Sequence, residues 1–349
     1  MDTLISNKMT EKLESFISDW QSANPFLHVH TSGSTGKPKD LIVEKRRMEA
    51  SARMTCDFLN LQPGQNALLC MPLDYIAGKM VVVRSIIRQL SLIAVEPCSR
   101  PLDAVAEQNG GVCPHIHFAA MVPLQIKKSI DNPLLRDIDN LIIGGGAIDT
   151  ELEAVLRDFP HGVWSTYGMT ETLSHVALRR ISGHTASLWY TPLPNVTVSL
   201  SDEQCLIINA PLVCAERLVT NDIAEMNDLG QFRILGRKDN VINSGGIKIQ
   251  IEEVETTIRK AVGSDIPFMI TSRPDPNFGE AVVMLIPESL NTDHHTTLLS
   301  SIAALPKYWQ PKAYIKVPSL PYTETGKPCR SAAKEMAAKA MQSNGENTK

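Results

Sequence analysis

His30-Thr31-Ser32-Gly33-Ser34-Thr35-Gly36-Lys37-Pro38-Lys39 follows a short apolar run, Phe26 to His30, and precedes a long alternation of apolar and helical stretches. Small, hydroxylated and glycine residues in a row let backbone N–H groups turn toward an anion. The hydroxyls add donors, and Lys37 adds charge. The spacing is not that of a P-loop: GxxxxGK[ST] is absent, and Pro38 stands where Ser or Thr would hold magnesium. A generic Gly/Ser string is a surface loop more often than a site.

On the N-terminal side, Leu13, Phe16, Ile17 and Trp20 share one face of an amphipathic helix over residues 10–21. On the C-terminal side, NALLCM (66–71), SLIAVE (91–96), HIHFAAM (115–121), NLIIGG (140–145) and GVWSTY (162–167) read as buried strands. Residues 44–58, 76–90, 102–108 and 149–158 read as helices. Strands alternating with helices predict an α/β fold with a mainly parallel sheet. After Thr191, NVTVSL, QCLIINA and GQFRIL predict a β-rich appendage. The charged, glycine-rich GRKDNVINSGG (236–246) reads as a linker. Beyond it come a helix near 252–262, strands near 267–271 and 280–286, another helix, a strand at 313–317 and an Ala-rich helix from 331. The expected organisation is a large N-terminal domain, 1–236, and a small α+β C-terminal domain, 237–349.

The chain has 349 residues, with 34 Lys+Arg against 38 Asp+Glu and a net charge of −4. Near-balance offers no electrostatic reason to expect nucleic acid or an anionic membrane as partner. Seven cysteines, at 56, 70, 98, 113, 205, 214 and 329, form no CxxC pair and suit reduced thiols. The N-terminus lacks an apolar signal-peptide core, and the most apolar stretch, Met80 to Val95, is interrupted by Arg84 and Arg88. These features predict a soluble, cytoplasmic protein. His28-x-His30 and His115-x-His117 put paired rings on strand faces, but no further ligand cluster stands at metal spacing.

Further motifs follow the first in order. They are Tyr167-Gly168-Met169-Thr170-Glu171-Thr172, Thr220-Asn221-Asp222, Gly236-Arg237-Lys238-Asp239, Ser244-Gly245-Gly246-Ile247-Lys248-Ile249 with Glu252-Glu253-Val254-Glu255, and Thr325-Gly326-Lys327. Together with TSGSTGKPK this set resembles the adenylate-forming superfamily of acyl-CoA synthetases and AMP-dependent ligases, across nearly the whole chain. The matched patterns are YGxTE, TGD (here with Asn for Gly), GRxxD, GGxKIxxxEIE and the terminal TGK.

The resemblance implies ATP and coenzyme A as co-substrates and Mg²⁺ as cofactor. Thr31, Ser32, Gly33, Ser34, Thr35, Gly36 and Lys37 would cradle phosphates. Glu171 would offer Mg²⁺ a hard oxygen. Tyr167 would present its ring to adenine, with Gly168 and Thr170 beside it. Gly144, Gly145 and Gly146 would let the backbone approach the base. Asp222 and Arg237 would meet the ribose. Lys327 would bridge the attacking carboxylate and the α-phosphate, since an ammonium offsets the charge building there. Asp239 would be the hinge about which the small domain turns, replacing the lysine face by Gly245, Gly246 and Lys248 along the coenzyme A path.

Within the superfamily the chain most resembles the o-succinylbenzoate–CoA ligase branch, through Met71-Pro72-Leu73-Asp74-Tyr75-Ile76-Ala77-Gly78 with Arg84 downstream, Met121-Val122-Pro123-Leu124-Gln125, and YGMTETLSHVALR. Arg84 lies on an apolar helix and is assigned to the substrate's second carboxylate. Tyr75, His117, Gln125, and Ser174 or His175, are further candidates for the acyl pocket. Three departures stand out: Tyr75 replaces a frequent His, Pro328 follows Lys327, and the phosphate loop starts at residue 31. A shortened N-terminal region is expected to expose apolar surface and favour a homodimer.

Overall fold

The computed structural model describes residues 4–5, 7–30, 40–263, 265–323 and 328–345. Thr31 to Lys37 and Lys327 therefore lie outside the described residues.

In chain order, the first elements are β1 (Leu4–Ile5), α1 (Asn7–Gln21), β2 (Phe26–His30), β3 (Asp40–Glu44), α2 (Lys45–Phe58), β4 (Asn66–Leu69), α3 (Ile76–Arg88) and β5 (Ser91–Ala94). Next come α4 (Pro101–Gln108), β6 (Phe118–Met121), α5 (Pro123–Lys128), β7 (Asn140–Ile143), α6 (Thr150–Arg157), β8 (Gly162–Gly168), β9 (His175–Arg180) and β10 (Thr191–Pro192). The large sheet runs β1-β5-β4-β6-β7-β8-β9-β10. Its strands from β1 to β8 pair in parallel, and β9 and β10 add antiparallel.

Short, continuous apolar runs suit strands covered on both sides. Side chains alternate across a strand, so each run divides between two cores. Ala67, Leu69, Leu92, Phe118 and Ile142 join one core with Leu13 of α1, Met48 of α2 and Met80 of α3. Leu68, Ile93, Ala119 and Leu141 join the other with Val105 of α4, Ile126 of α5 and Leu156 of α6. Burying each large apolar side chain contributes about 1.5–3 kcal/mol. An exposed ion pair such as Lys12–Asp74, at 2.9 Å, contributes about 0–1 kcal/mol. The two-sided core therefore dominates, and the expected α/β architecture is the one observed.

The β-rich appendage is an antiparallel sheet of β11 (Thr197–Leu200), β12 (Cys205–Asn209), β13 (Leu218–Met226) and β14 (Phe232–Arg237). The remaining elements are β15 (Val241–Ser244), β16 (Ile247–Gln250), α7 (Ile251–Val262), β17 (Met269–Asp275), β18 (Gly279–Pro287), α8 (Thr292–Ala303), β19 (Ala313–Val317) and α9 (Arg330–Gly345). They build a sheet in the order β16-β15-β18-β17, with β19 parallel to β18. The stretch 236–246 is not the linker expected from its composition. Between β14 and β15 only a single 3-10 turn, Lys238–Asn240, intervenes. Gly245 and Gly246, at φ +60 and +83, make a two-residue hairpin turn between β15 and β16. Positive φ at both central positions matches the strand twist and favours glycine. Among the described residues, no helix is long and apolar enough to cross a membrane.

Gly78, in the first turn of α3, is a close-approach glycine. A Cβ there would lie 2.3 Å from the Pro72 carbonyl oxygen and 2.9 Å from that of Met71. Backbone cannot swing aside as a side chain can, so Gly78→Ala is expected to cost about 1–3 kcal/mol of stability. A denaturation midpoint unchanged from wild type would contradict this packing.

Candidate functional site

All the parallel strands leave the large sheet at one edge, and the loops there carry Tyr75, Gly144 to Gly146, Gly168 and Glu171. β2 and β3 pair with His30 opposite Asp40. His30 also bridges Tyr75, which stands at the N-cap of α3. Tyr75 is thus next to the last described residue before the Gly/Ser/Thr motif.

Gly144, Gly145 and Gly146 follow β7, and Tyr167 and Gly168 end the adjacent β8. Thr166 Oγ1 donates to the Ile143 carbonyl at 3.2 Å, tying the two exits together. A Cβ on Gly168 would sit 2.3 Å from the Ser174 carbonyl oxygen, so only glycine lets the chain fold back there.

Tyr167, Asp222, Arg237 and Asp239, far apart in sequence, form one hydrogen-bonded chain. The Tyr167 hydroxyl donates to Asp222 Oδ2 at 2.5 Å, and Arg237 Nη1 donates to Asp222 Oδ1 at 3.2 Å. Arg237 Nε and Nη2 grip Asp239 at 2.8 and 2.7 Å. Strand register makes this possible, because Asp222 on β13 faces Arg237 on β14. Burial and the neighbouring Asp222 carboxylate push the Tyr167 phenol well above its ordinary value, so the ring stays a donor. The Arg237 fork holds the Asp239 carboxyl below the usual range. Tyr167 also packs edge-on against Phe232, at 5.1 Å between centroids, and Phe232 stacks on Tyr190 at 5.5 Å. Sequence reading misses Tyr190 and Phe232; the backbone bridge that pairs them joins the appendage to the large sheet.

Glu171 is exposed on the 3-10 turn Thr170–Thr172. An exposed carboxylate on a short turn offers the kind of hard oxygen that Mg²⁺ favours. Leu173 follows at φ +65 and ψ −40, and Ser174 N–H bonds the Thr172 carbonyl at 2.7 Å. This is a γ-turn of the rare, strained hand. It delivers Ser174 to Arg84, whose Nη2 donates to Ser174 Oγ at 2.8 Å.

Arg84 is 2% exposed, and its Nε has no partner. Among the described residues no carboxylate pairs with it, and burial pushes it down to about 10. His175, also buried, lies against Thr55 Oγ1 at 2.9 Å through Nε2. Burial, and then the Arg84 charge, push His175 well below its ordinary value.

Several candidates sit elsewhere. Gln125 is not free to line a pocket: its Nε2 donates to the Cys70 and Cys98 carbonyls, both at 3.0 Å, and its Oε1 accepts from Val122 N–H at 3.1 Å. It braces three loops at the strand exits, a role invisible in sequence because its partners are backbone atoms. His117 precedes β6, and its backbone N–H bonds the Asn66 carbonyl. It therefore lies at the sheet edge opposite the exits, not beside a substrate there. His115, His117 and Asp139 each bring a potential metal-ligand atom within 4.8 Å of the others. However, His117 Nδ1 accepts the Asn66 N–H at 3.0 Å, so its Nε2 keeps the proton that a metal would have to displace. Gly245 and Gly246 cap the β15–β16 hairpin, and Lys248 is exposed on β16.

Residues 4–209, more than half of the chain, match the family model described as AMP-binding enzyme. The 2-succinylbenzoate–CoA ligase of Salmonella typhimurium is 27% identical over 86% of this chain and 66% of its own length. This chain thus spans just under two thirds of that curated relative. An acyl-CoA synthetase (AMP-forming)/AMP-acid ligase II-like protein from Dyadobacter fermentans is 30% identical, covering 93% of each chain with a TM-score of 0.62. The Bacillus subtilis o-succinylbenzoate CoA synthetase, in complex with an acyl-adenylate intermediate, shares the fold at a TM-score of 0.72. It is 20% identical over 88% of this chain and 68% of its own.

The buried imidazole predicts a pH dependence of stability. His175 takes up a proton near its ordinary value of 6.5 when unfolded, but not when folded. The unfolded state then binds more protons, so stability is complete above pH 6.5 and falls as the pH drops below it. Over one pH unit below that value the wild type should lose up to about 1.4 kcal/mol more than His175→Gln. Parallel unfolding curves for the two proteins across that window would refute the assignment.

Proposed function

We propose that this chain, which belongs to the AMP-binding enzyme family, is an ATP-dependent acid–thiol ligase acting in the cytoplasm. Its substrate on this reading is o-succinylbenzoate, an intermediate of menaquinone biosynthesis. One carboxylate oxygen attacks the α-phosphorus of ATP, the α–β phosphoanhydride bond breaks, and pyrophosphate leaves. The thiol of coenzyme A, losing its proton, then attacks the acyl carbon, and AMP departs.

The observation that carries the substrate class is Arg84. A buried guanidinium without a counter-ion costs several kcal/mol, and proteins retain such charges where a partner arrives from outside. Arg84 touches Ser174, three residues beyond Glu171, so an acid spanning the two positions would place one carboxylate at the nucleotide and the other at the guanidinium. Glu171 would hold Mg²⁺, which supplies charge neutralisation on the triphosphate when bound. Asp222, already oriented by Tyr167 and Arg237, would accept from the ribose hydroxyls. Thr31 to Lys37 would receive phosphates, with Gly144, Gly145, Gly146, Gly168 and Thr170 around the base. Lys327 would offset the charge at the α-phosphate.

Residues 237–349 would act as a mobile lid hinged at Asp239. The Arg237–Asp239 pair at the hinge is partly exposed, so rearranging it there would cost little. Gly245, Gly246 and Lys248 would then border the thiol's approach. A second copy of the chain is a further proposed partner. Phe26 and Ile42, 45% and 65% exposed on the β2–β3 hairpin, supply apolar surface for it.

The deciding experiment incubates the protein with ATP, Mg²⁺, o-succinylbenzoate and coenzyme A, and looks for the thioester by mass spectrometry. No thioester means a different function. Arg84→Met should raise the Michaelis constant for o-succinylbenzoate about tenfold or more, the worth of one charge-assisted hydrogen bond. The same variant should be at least as stable as wild type, because a buried unpaired charge has gone. An unchanged Michaelis constant would detach Arg84 from the substrate. Lys327→Ala should slow adenylation about 10²–10³-fold while leaving thioester formation from supplied adenylate largely intact. Equal loss in both half-reactions would contradict the rotating lid.

A further inference from the structure

Thr55 on α2, Arg84 on α3 and Ser174 with His175 at the start of β9 are polar residues gathered where the three elements meet, and all but Ser174 are buried. The direction of each hydrogen bond among them can be worked out. A hydroxyl has one proton, and Thr55 gives its own to the Ser51 carbonyl at 3.1 Å, one helical turn back. Thr55 Oγ1 can then only accept from His175, so the imidazole proton sits on Nε2. His175 Nδ1 is left as a bare lone pair. A second proton there would create a buried imidazolium beside the Arg84 guanidinium, which is doubly unfavourable.

That lone pair faces Ser174 Oγ at 3.4 Å. Ser174 Oγ already accepts Arg84 Nη2–H at 2.8 Å, so its own proton must point away from Arg84. Nδ1 is the acceptor within reach of it. The relay therefore runs one way: Arg84 to Ser174 to His175 Nδ1, and His175 Nε2–H to Thr55 to the Ser51 carbonyl. The strained γ-turn at Leu173 supports a functional purpose. A non-glycine residue is held at φ +65 immediately before Ser174, a cost the fold accepts in setting that hydroxyl. His175 stands within the YGMTETLSHVALR stretch, whereas Thr55 belongs to no motif.

We propose that His175 is a positioning residue that sets substrate specificity: as a neutral, Nε2-protonated imidazole it locks Ser174 onto one amino group of Arg84 and so aims the remaining guanidinium donors at a carboxylate on the non-reacting end of the acid. This rests on the function proposed above and names the device that would make it discriminate dicarboxylic from monocarboxylic acids. A neutral ring is what the task requires. It can accept from Ser174 without repelling Arg84 and without competing for the incoming carboxylate, as an imidazolium would.

The test compares kcat/KM for o-succinylbenzoate with that for benzoate, which lacks the second carboxylate. In His175→Leu the ratio should fall about tenfold, chiefly through KM for the dicarboxylate. In His175→Asn, whose amide reaches Ser174 from the Nδ1 position, most of the ratio should return. Nitrogen-15 NMR of the wild-type imidazole should report a protonated Nε2 and a bare Nδ1 around neutral pH. A ratio unmoved in His175→Leu, or an Asn variant no better than Leu, overturns the inference while leaving the ligase function standing. So does an Nδ1-protonated or doubly protonated ring, a readout that decides the matter even if His175→Leu fails to fold. Absence of any thioester with wild type overturns the function and this inference together.

Discussion

The parallel pairing of β4, β5, β6, β7 and β8 is the constraint on which everything else hangs. Parallel strands must be rejoined by helices, helices cover both faces, and every strand then exits at the same edge. That single directional choice collects Tyr75, Gly144–Gly146, Tyr167 and Glu171 from loops far apart in sequence. It also leaves His117 and Asn66 on the other edge, where polar groups satisfy one another. The switch to antiparallel at β9 turns the chain back sharply enough to bring Ser174 and His175 under α2 and α3.

Polar burial separates the site from the scaffold. Gln125 is buried with both amide N–H groups spent on backbone carbonyls, so it has no donor left for a ligand. Arg84 is buried too, yet its Nε has no partner and, among the described residues, no carboxylate answers its charge. Low dielectric magnifies both cases: a satisfied group rigidifies its surroundings, whereas an unsatisfied cation holds a standing attraction for an anion. Asp222 is a third type, engaged by Tyr167 and Arg237 but with oxygen lone pairs still available.

How much is legible in sequence varies with the physics of each element. Strands such as Ala67-Leu68-Leu69 and Leu141-Ile142-Ile143, where apolar residues are consecutive, are readable because burial on both faces leaves no room for polar positions. β13 escapes that reading, since Val219, Asn221 and other exposed residues interrupt its apolar pattern, although it carries Asp222. The stretch 241–246 passes for linker because its composition is polar. The signal lies in the Gly-Gly pair between Ile242 and Ile249, which is a hairpin mark. The motif residues can be named individually, but nothing in their order discloses that Tyr167, Asp222, Arg237 and Asp239 are links in one chain.

Local chemistry along the chain determined the α/β class, the family resemblance and the identities of the motif side chains, because apolar periodicity and short motifs are properties of neighbouring residues. Only the tertiary structure decided which polar groups are satisfied. It saturated Gln125, moved His117 to the far edge, left Arg84 without a counter-ion among the described residues and oriented His175 through Thr55. Hydrogen-bond satisfaction depends on atoms brought together from distant positions, so it exists only once the sheet has closed over them.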